Sequence, residues 1–312
     1  MIKNTDKPLL SICIPTYNRA RYLKECMNSI VCQFADEDIY RQVEIVISDN
    51  ASEDNTSELV KEYQEKYHNI KYFKNKENLG YDRNVIAVML ASEGAFVWTL
   101  SDDESLKVDT LISLFDVLNK YPEIAWICVS NGNSPITAIQ KYDNGDDWLN
   151  DMGLAGGQIS QNIYNRAYLP LDMDKYVGSL WIHYALAREA AAMRPQLLVK
   201  NLFLTPEKGH PCTWAKGGKI FLTIIGLNKI IRNLPSFGYD KKTVYKILKK
   251  LAIDSPRQVA SAKINGLDTN VTNLKLLIVN FYPYPVNLLI AIFIFFIPRK
   301  FIIFLKSLCQ KK

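Results

Sequence analysis

The first 130 residues alternate short apolar runs with segments in which apolar residues recur at helical spacing. The apolar runs lie at positions 9–14, 43–47, 70–74, 95–100 and 124–129. Runs of this length bounded by polar turns are typical of strands buried on both faces. The segments between them, at 21–32, 56–67, 84–91 and 108–119, predict helices. This alternation predicts an α/β fold with a mostly parallel sheet flanked by helices.

One of these runs ends in a cluster of acidic residues. Residues 95–104 read AFVWTLSDDE, so an apolar strand is followed directly by Ser101, Asp102, Asp103 and Glu104. The carboxyl edge of a parallel sheet is where open α/β folds bind ligands. Adjacent carboxylates repel one another unless a hard divalent cation lies between them, and such a cation can bridge a diphosphate. An acidic helix N-terminus, which complements the helix dipole, explains these residues equally well.

The ends of the first two strands carry further candidate binding residues. The loop PTYNR after the first strand has no glycine, which excludes a dinucleotide-binding turn and a phosphate-binding P-loop. The second strand ends in Ser48, Asp49 and Asn50. Asp49 could accept hydrogen bonds from a nucleotide base or ribose, or its segment could instead cap the following helix.

Composition narrows the class of protein without defining it. The chain has 312 residues, 48% apolar and 22% charged, with a formal net charge of +6. The basic excess falls after Asp240, and no recognition motif is present, so we expect no nucleic-acid partner. Six scattered cysteines without a CxxC motif predict reduced thiols in a cytoplasmic protein, and we expect no signal peptide.

Four motifs together carry a family resemblance. The segments IPTYNRARYL, EIVISDNASEDNT, ENLGYDRNV and FVWTLSDDE occur in this order between positions 9 and 130. They resemble the nucleotide-sugar half of family 2 glycosyltransferases with the GT-A fold. The form ending in SDDE is most similar to the abequosyltransferase-like enzymes of bacterial O-antigen assembly. The resemblance implies a nucleoside-diphosphate sugar donor and Mn²⁺ or Mg²⁺ as the cofactor.

The resemblance also implies site residues. Asp103 would be the metal ligand, because Ser101 replaces the first Asp of the family's usual Asp-x-Asp, and Glu104 is a third carboxylate beside it. Asp49 would hold the base, and Asp102 would lie near the ribose or the metal. The full nucleotide-sugar set comprises Pro15, Thr16, Tyr17, Arg19, Asp49, Asn78, Gly80, Asp82, Arg83 and Asp102.

The acceptor half is less clearly encoded. Residues 130–151 are rich in Asn, Asp, Gly and Ser and predict a long loop over the site, and residues 156–166 resemble the acceptor-side strand. Where the family carries Glu-Asp before an apolar helix, this chain has Ile182 and His183. His183, Asp172 and Asp174 are therefore the candidate catalytic bases. His183 could equally be a packed helix histidine.

The C-terminal region predicts helices with a membrane-facing character. Residues 241–252 combine apolar positions with five lysines, and residues 288–297 are wholly apolar before Pro298, Arg299 and Lys300. A spanning helix needs about 20 apolar residues, so we expect a peripheral or monotopic hairpin at the cytoplasmic face of the inner membrane. A buried helix pair is the alternative.

These observations predict a domain division and a function. We expect a GT-A domain at 1–215, with its donor half at 9–130 and its acceptor half at 131–215, and a helical region at 216–312. The expected activity is metal-dependent sugar transfer to a hydroxyl of a lipid-linked oligosaccharide in O-antigen or capsule synthesis. The alternative is a non-catalytic glycan-binding or scaffold subunit. A nucleotidyltransferase is disfavoured because PTYNRAR is neither glycine-rich nor lysine-containing.

Overall fold

A computed structural model describes residues 7–130, 138–200, 204–206 and 219–309. The chain divides into two compact units. The first comprises Met1–Val177 and Ile182–His210, and the second comprises Gly178–Trp181 and Pro211–Lys312. The short segment Gly178–Trp181 therefore groups with the C-terminal unit, although it lies within the predicted acceptor half.

The first unit is built on an eight-stranded sheet within the described residues, in the order β3-β2-β1-β4-β8-β6-β9-β7. Strands β3, β2, β1 and β4 are parallel neighbours, and β6 and β9 run in the same direction. Only β8 and β7 are antiparallel to their neighbours in this sheet. The ten described strands are β1 (Leu10–Thr16), β2 (Val43–Asp49), β3 (Ile70–Lys74), β4 (Phe96–Thr99), β5 (Glu104–Leu106), β6 (Trp126–Val129), β7 (Ala138–Tyr142), β8 (Asn162–Asn165), β9 (Gln196–Lys200) and β10 (Leu204–Pro206).

Helices cover this sheet and make up most of the second unit. Strand β5 pairs with β10 in a separate antiparallel ribbon. The helices of the first unit are α1 (Ala20–Val31), α2 (Glu37–Gln42), α3 (Thr56–Gln64), α4 (Tyr81–Leu90), α5 (Thr110–Lys120), α6 (Gly145–Met152) and α7 (Ile182–Ala190). Those of the second unit are α8 (Lys219–Asn233), α9 (Lys241–Ile264), α10 (Val271–Phe281), α11 (Pro285–Phe296) and α12 (Arg299–Cys309). The predicted α/β architecture, mostly parallel and flanked by helices, is confirmed.

The central strands are apolar along their whole length because both faces of the sheet are covered. Ile12 of β1 lies between Ile45 of β2 and Trp98 of β4, and all three are fully buried. The indole Nε1 of Trp98 donates a hydrogen bond of 2.7 Å to the Ser160 carbonyl. The one polar atom of this large side chain is thus satisfied inside the core, as burial of a polar group requires. This packing fixes β4, and with it the acidic segment that follows.

The prediction of a continuous loop over 130–151 is wrong in its second part. Residues 138–142 form β7, and helix α6 follows, while residues 131–137 lie outside the described residues. Strand β7 lies at the sheet edge and is mostly exposed, so its polar composition is that of a loop. Asn144 caps α6 by accepting hydrogen bonds from the backbone N–H groups of Asp146 and Asp147.

The helix predicted at 84–91 begins three residues earlier than expected. Helix α4 begins at Tyr81, directly after Gly80, whose φ is +79°. This left-handed backbone conformation is one that glycine adopts without steric cost. Asp82 and Arg83 consequently lie in the first turn of a helix, where Asp82 is buried and Arg83 is exposed.

The second unit has its own apolar core, formed by α8 to α11. Phe221 of α8, Phe281 of α10 and Phe295 of α11 are buried in this cluster. Within the described residues, no single helix is both long and apolar enough to cross a membrane. Pro285–Phe296 and Arg299–Ser307 reach that length and composition only as a pair, which is bent by 104° at the break.

Candidate active site

The carboxyl ends of three neighbouring parallel strands meet at one edge of the sheet. Thr16 at the end of β1 is paired in register with Asp49 at the end of β2. On the other side of β1, β4 leads directly into Ser101, Asp102 and Asp103. The fold therefore brings together candidate site residues from three separate segments, as expected for a ligand site at this edge.

Two carboxylates and one guanidinium form the centre of this edge. Asp102 accepts a hydrogen bond of 2.7 Å from the Thr16 hydroxyl and lies 3.0 Å from Nη1 of Arg19. Asp103 lies 2.7 Å from Nη2 of the same arginine and accepts a hydrogen bond from the Ser101 hydroxyl. Arg19 thus bridges the two acidic side chains, and the sequence-predicted residues Thr16, Arg19, Asp102 and Asp103 form one cluster.

Burial governs the electrostatics of this cluster. The Asp102 side chain is only 3% exposed, and desolvation raises its pKa to about 7, against the opposing effects of Arg19 and Thr16. Burial also raises the pKa of Glu104, which lies in β5 and hydrogen-bonds Ser160. Asp103, with 24% of its side chain exposed, is the more accessible carboxylate of the adjacent pair.

These residues fit a divalent cation that is completed by a substrate. Within the described residues, no group of three or more His, Cys, Asp or Glu side chains could hold a metal ion by itself. Mg²⁺ is commonly bound by one or two carboxylates together with substrate phosphates, rather than by an all-protein cage. Asp102 and Asp103 supply such a pair of hard oxygen ligands. The donor set therefore fits Mg²⁺ or Mn²⁺ only when a diphosphate provides further oxygens.

Asp49 lies behind the edge rather than on it. Its carboxylate has no exposed surface and accepts hydrogen bonds of 2.7 Å from the Tyr72 hydroxyl and from the backbone N–H of Ser52. In this conformation Asp49 supports the loop after β2. Direct contact with a base would require Tyr72 or the Ser52 backbone to move.

A network of side-chain amides supports the loop that leads into α4. Asn50 donates to the Asn78 side-chain oxygen at 2.8 Å and accepts from the Leu79 backbone N–H at 2.9 Å. Asn78 in turn accepts from the Gly80 backbone N–H at 2.9 Å. The predicted residues Asn78 and Gly80 therefore shape the loop, but Asn50, which connects it to β2, is missing from the predicted set. Its position directly after Asp49, at the end of β2, was the feature of the sequence that could have identified Asn50 as a site residue.

A second set of hydrogen bonds in this network connects the end of β2 to helix α4. Asn84 of α4 accepts hydrogen bonds from the Ser48 hydroxyl at 2.6 Å and from the Asn75 amide at 2.9 Å. The Asn75 amide also donates to Asn50 at 3.3 Å. Buried polar groups satisfied in this way rigidify their surroundings. The sequence did not distinguish Asn75 and Asn84 from ordinary turn and helix residues.

The remaining predicted donor-side residues are more exposed. Pro15 is half-buried at the end of β1, and Tyr17 is exposed in the loop that follows. Nη1 of Arg83 lies 3.3 Å from Oδ1 of Asp174, so this ion pair joins the first turn of α4 to a candidate base. Asp172 is exposed on the same segment, two residues earlier.

His183 is buried, and both of its ring nitrogens are hydrogen-bonded. Nε2 lies 3.0 Å from the Gly157 carbonyl and must donate to it, so Nδ1 accepts from the Tyr81 hydroxyl at 3.0 Å. Burial lowers the pKa of His183 to about 4. A base with its acceptor nitrogen engaged and its pKa this low is poorly suited to general-base catalysis near neutral pH. The geometry therefore favours the packed-histidine interpretation over the catalytic one.

The fold and the edge cluster together define a class of protein. A mostly parallel sheet that presents two adjacent carboxylates, a hydroxyl and an arginine beyond its strands is suited to a phosphorylated ligand with a metal ion. The sequence profile described as Glycosyl transferase family 2 matches residues 11–170. The chain belongs to this family.

Curated relatives match little more than a third of this chain. The abequosyltransferase RfbV of Salmonella typhimurium is 40% identical over 121 residues, 38% of this chain and 35% of that protein. The GalNAc(5)-diNAcBac-PP-undecaprenol beta-1,3-glucosyltransferase of Campylobacter jejuni is 32% identical over 114 residues, 36% of this chain and 35% of that protein. The matches thus span about a third of the length of these relatives.

Solved structures share the fold over nearly the whole chain. S. aureus TarS 1-349 aligns with a TM-score of 0.60 at 14% identity, covering 97% of this chain and 92% of that one. The mannosyltransferase PcManGT of Pyrobaculum calidifontis, in complex with GDP-Man and Mn²⁺, aligns with a TM-score of 0.57 at 16% identity. The alignment covers 92% of this chain and 86% of that one. The expected GT-A fold is confirmed.

We predict that His183 stays neutral in acid, in the tautomer protonated at Nε2. Its folded-state pKa, about 4, lies below the reference value of 6.5, so the unfolded chain binds more protons between these values. Stability contributed by this residue is therefore complete above pH 6.5 and is lost as the pH falls toward 4. Nitrogen NMR of labelled histidines, assigned with His183→Asn, measures the titration directly. An imidazole that titrates near pH 6.5 would restore His183 as a candidate base.

Proposed function

We propose that this protein transfers a sugar from a nucleoside-diphosphate sugar to a hydroxyl of a lipid-linked oligosaccharide, with Mn²⁺ or Mg²⁺, in bacterial O-antigen or capsule synthesis. The observation that carries the proposal is the convergence of Thr16, Arg19, Asp102 and Asp103 at one sheet edge. This edge supplies both charges that a metal-diphosphate group needs, namely carboxylates for the cation and a guanidinium for the phosphates.

The donor would bind across the ends of β1, β2 and β4. Asp103 and Asp102 would hold the cation, which when bound supplies Lewis-acid stabilisation of the charge that develops on the departing diphosphate. The exposed Tyr17 and the loop from Asn78 to Gly80 would contact the nucleoside, with Asn50 holding that loop in place. A nucleoside-diphosphate sugar is the kind of ligand with which the structural neighbours have been solved, TarS with UDP-GlcNAc and PcManGT with GDP-Man.

Transfer would form a bond between the acceptor hydroxyl oxygen and the anomeric carbon. The bond from that carbon to the diphosphate oxygen breaks, its electron pair leaves with the nucleoside diphosphate, and the hydroxyl proton passes to a protein base. We propose Asp174 as that base, ahead of Asp172 and His183. The Asp174 side chain is 70% exposed, and its contact with Arg83 connects it to the first turn of α4, which follows the donor-side loop. His183 instead supports Tyr81 and residue 157 from the interior.

The nature of the acceptor is inferred from the relatives and from the C-terminal helices. The C. jejuni relative is named for a PP-undecaprenol acceptor. In this chain, Leu289, Phe293 and Phe296 of α11 line an open apolar cleft and are at least half exposed. Exposed apolar surface of this kind marks an interaction site. Helix α12 adds Arg299, Lys300 and Lys306 without an acidic residue, which complements anionic lipid headgroups. We propose that these helices rest on the cytoplasmic face of the inner membrane.

The first prediction from the proposed function is a metal-dependent stabilisation of the protein by one nucleoside diphosphate. In thermal unfolding with uridine, cytidine, guanosine and thymidine diphosphates, one base should stabilise the protein only when Mn²⁺ is present. Mass action gives about 2.7 kcal/mol at a hundredfold excess over the dissociation constant. Asp103→Asn should remove the Mn²⁺-dependent part, whereas Asp116→Asn, an exposed carboxylate on α5, should not. No shift with any base would favour a non-catalytic glycan-binding or scaffold subunit instead.

The second prediction concerns the base. Asp174→Asn should lower kcat about 100-fold or more while leaving the nucleotide-induced stabilisation unchanged, since a general base typically contributes 10²–10⁴-fold. Asp172→Asn, on the same exposed segment, is the matched control and should retain its turnover. Steady-state kinetics with donor and acceptor distinguish the two variants. Equal turnover of Asp174→Asn and the wild type would exclude Asp174 as the base.

The third prediction concerns the membrane surface. The double variant Phe293→Ser/Phe296→Ser should bind phosphatidylglycerol vesicles at least tenfold more weakly than the wild type in a sedimentation assay. The reason is that burying each Phe contributes about 1.5–3 kcal/mol. Leu90→Ser is the matched control, since Leu90 is 67% exposed at the end of α4 in the first unit. Phosphatidylcholine vesicles should bind the wild type more weakly, owing to the basic residues of α12. Equal binding of the double variant and the wild type would contradict the proposed surface.

A further inference from the structure

Arg19 occupies a position between the two carboxylates that the proposed function assigns to the metal. It directly precedes helix α1, and its side chain is one-quarter exposed. Each of two guanidinium nitrogens approaches a different residue, Nη1 toward Asp102 at 3.0 Å and Nη2 toward Asp103 at 2.7 Å. The guanidinium carbon lies 5.4 Å from the centre of the Tyr22 ring. Arg19 is therefore held by three neighbouring side chains in one defined position.

The two carboxylates require a nearby positive charge. Asp102 and Asp103 are consecutive residues, one almost fully buried and one three-quarters buried, so their charges repel in a partly desolvated environment. In the structure that positive charge is the Arg19 guanidinium. The Thr16 hydroxyl donates a hydrogen bond to Asp102, and the Ser101 hydroxyl donates one to Asp103. The protein thus supplies its own counter-ion at this edge.

A divalent cation would compete with groups that already occupy the carboxylate oxygens, since each of the four has a donor and two of these donors belong to Arg19. Arg19 approaches Oδ2 of Asp103 and Oδ1 of Asp102, and a guanidinium and a metal ion repel each other at one carboxylate oxygen. We therefore expect a cation bound between the two carboxylates to move the guanidinium away from at least one of them. A diphosphate offers the displaced guanidinium a replacement anion, because planar guanidinium groups pair well with phosphate oxygens.

We propose that Arg19 is an internal counter-ion that a divalent cation displaces, and that the released guanidinium then binds the donor diphosphate. This inference rests on the proposed metal-dependent function. It gives Arg19 two opposite effects on ligand binding. Arg19 weakens the binding of the metal alone, and it strengthens the binding of the diphosphate. Metal and diphosphate therefore bind cooperatively, and part of the coupling between them passes through Arg19.

The test measures Mn²⁺ binding in the absence of any nucleotide. Electron paramagnetic resonance of free Mn²⁺ gives the dissociation constant for the wild-type protein, Arg19→Ala and Arg21→Ala at pH 8. Arg21 is the matched control, because it is an exposed arginine whose guanidinium carbon lies 6.0 Å from the same Tyr22 ring. Arg19→Ala should bind Mn²⁺ about tenfold more tightly than the wild type, since a neighbouring opposite charge typically changes a carboxylate equilibrium by about one to three pKa units. Arg21→Ala should match the wild type.

The same substitution should have the opposite effect on the affinity for a nucleoside diphosphate. With saturating Mn²⁺, Arg19→Ala should bind the preferred nucleoside diphosphate more weakly than the wild type and Arg21→Ala, by calorimetry. If Arg19→Ala does not fold, Arg19→Gln keeps most of the side-chain volume without the charge and should show the same two effects. Mn²⁺ affinity that is unchanged or weaker in these variants would overturn the inference.

The same data separate this inference from the proposed function. Wild-type protein that binds Mn²⁺ with a nucleoside diphosphate, combined with unchanged Mn²⁺ affinity in Arg19→Ala, would overturn the inference and leave the function standing. Absence of Mn²⁺ binding in every variant, with and without nucleoside diphosphate, would overturn both.

Discussion

The neutralisation of two adjacent carboxylates at the end of β4 is the constraint on which the site depends. Trp98 and its neighbours fix β4 in the core, so the chain must leave the sheet at Ser101 and place Asp102 where little water reaches it. A buried carboxylate without a partner is costly. Thr16 and Arg19, both from the segment at the end of β1, supply the hydrogen bond and the charge that this position requires. The first and fourth strands are thereby connected through chemistry as well as through backbone pairing.

The amide network performs a similar role on the other side of β1. Asn50, Asn75 and Asn84 join the ends of β2 and β3 to the start of α4 through side-chain hydrogen bonds. Uncharged amides can satisfy buried backbone groups without the desolvation cost of a charge. The loop that we assign to the nucleoside is therefore held by neutral groups, whereas the cluster that we assign to the diphosphate is held by charges. This division matches the chemistry of the two halves of a nucleoside-diphosphate ligand.

The acceptor half buries a histidine at the position where the family resemblance implies a pair of acids. Ile182 is fully buried and His183 is enclosed, with Tyr81 and the residue 157 carbonyl as its partners. An ionised pair of acids could not occupy this interior without compensating charges. An isoleucine and a neutral histidine are compatible with this interior, which favours a packing role for both, and the exposed Asp174 is the base that we propose.

The sequence by itself determined the order of strands and helices in the donor half, because burial on both faces leaves a continuous apolar run in each central strand. The sequence did not predict the edge strand β7, because most of its residues are exposed and its composition is typical of loops. Only the tertiary structure decided that Arg19 bridges Asp102 and Asp103, and that Tyr81 engages His183. Arg19 and Asp103 lie 84 residues apart along the chain, and Tyr81 and His183 lie 102 residues apart. Local periodicity records whether a residue is buried, whereas the identity of its partner depends on which distant segments the fold brings together.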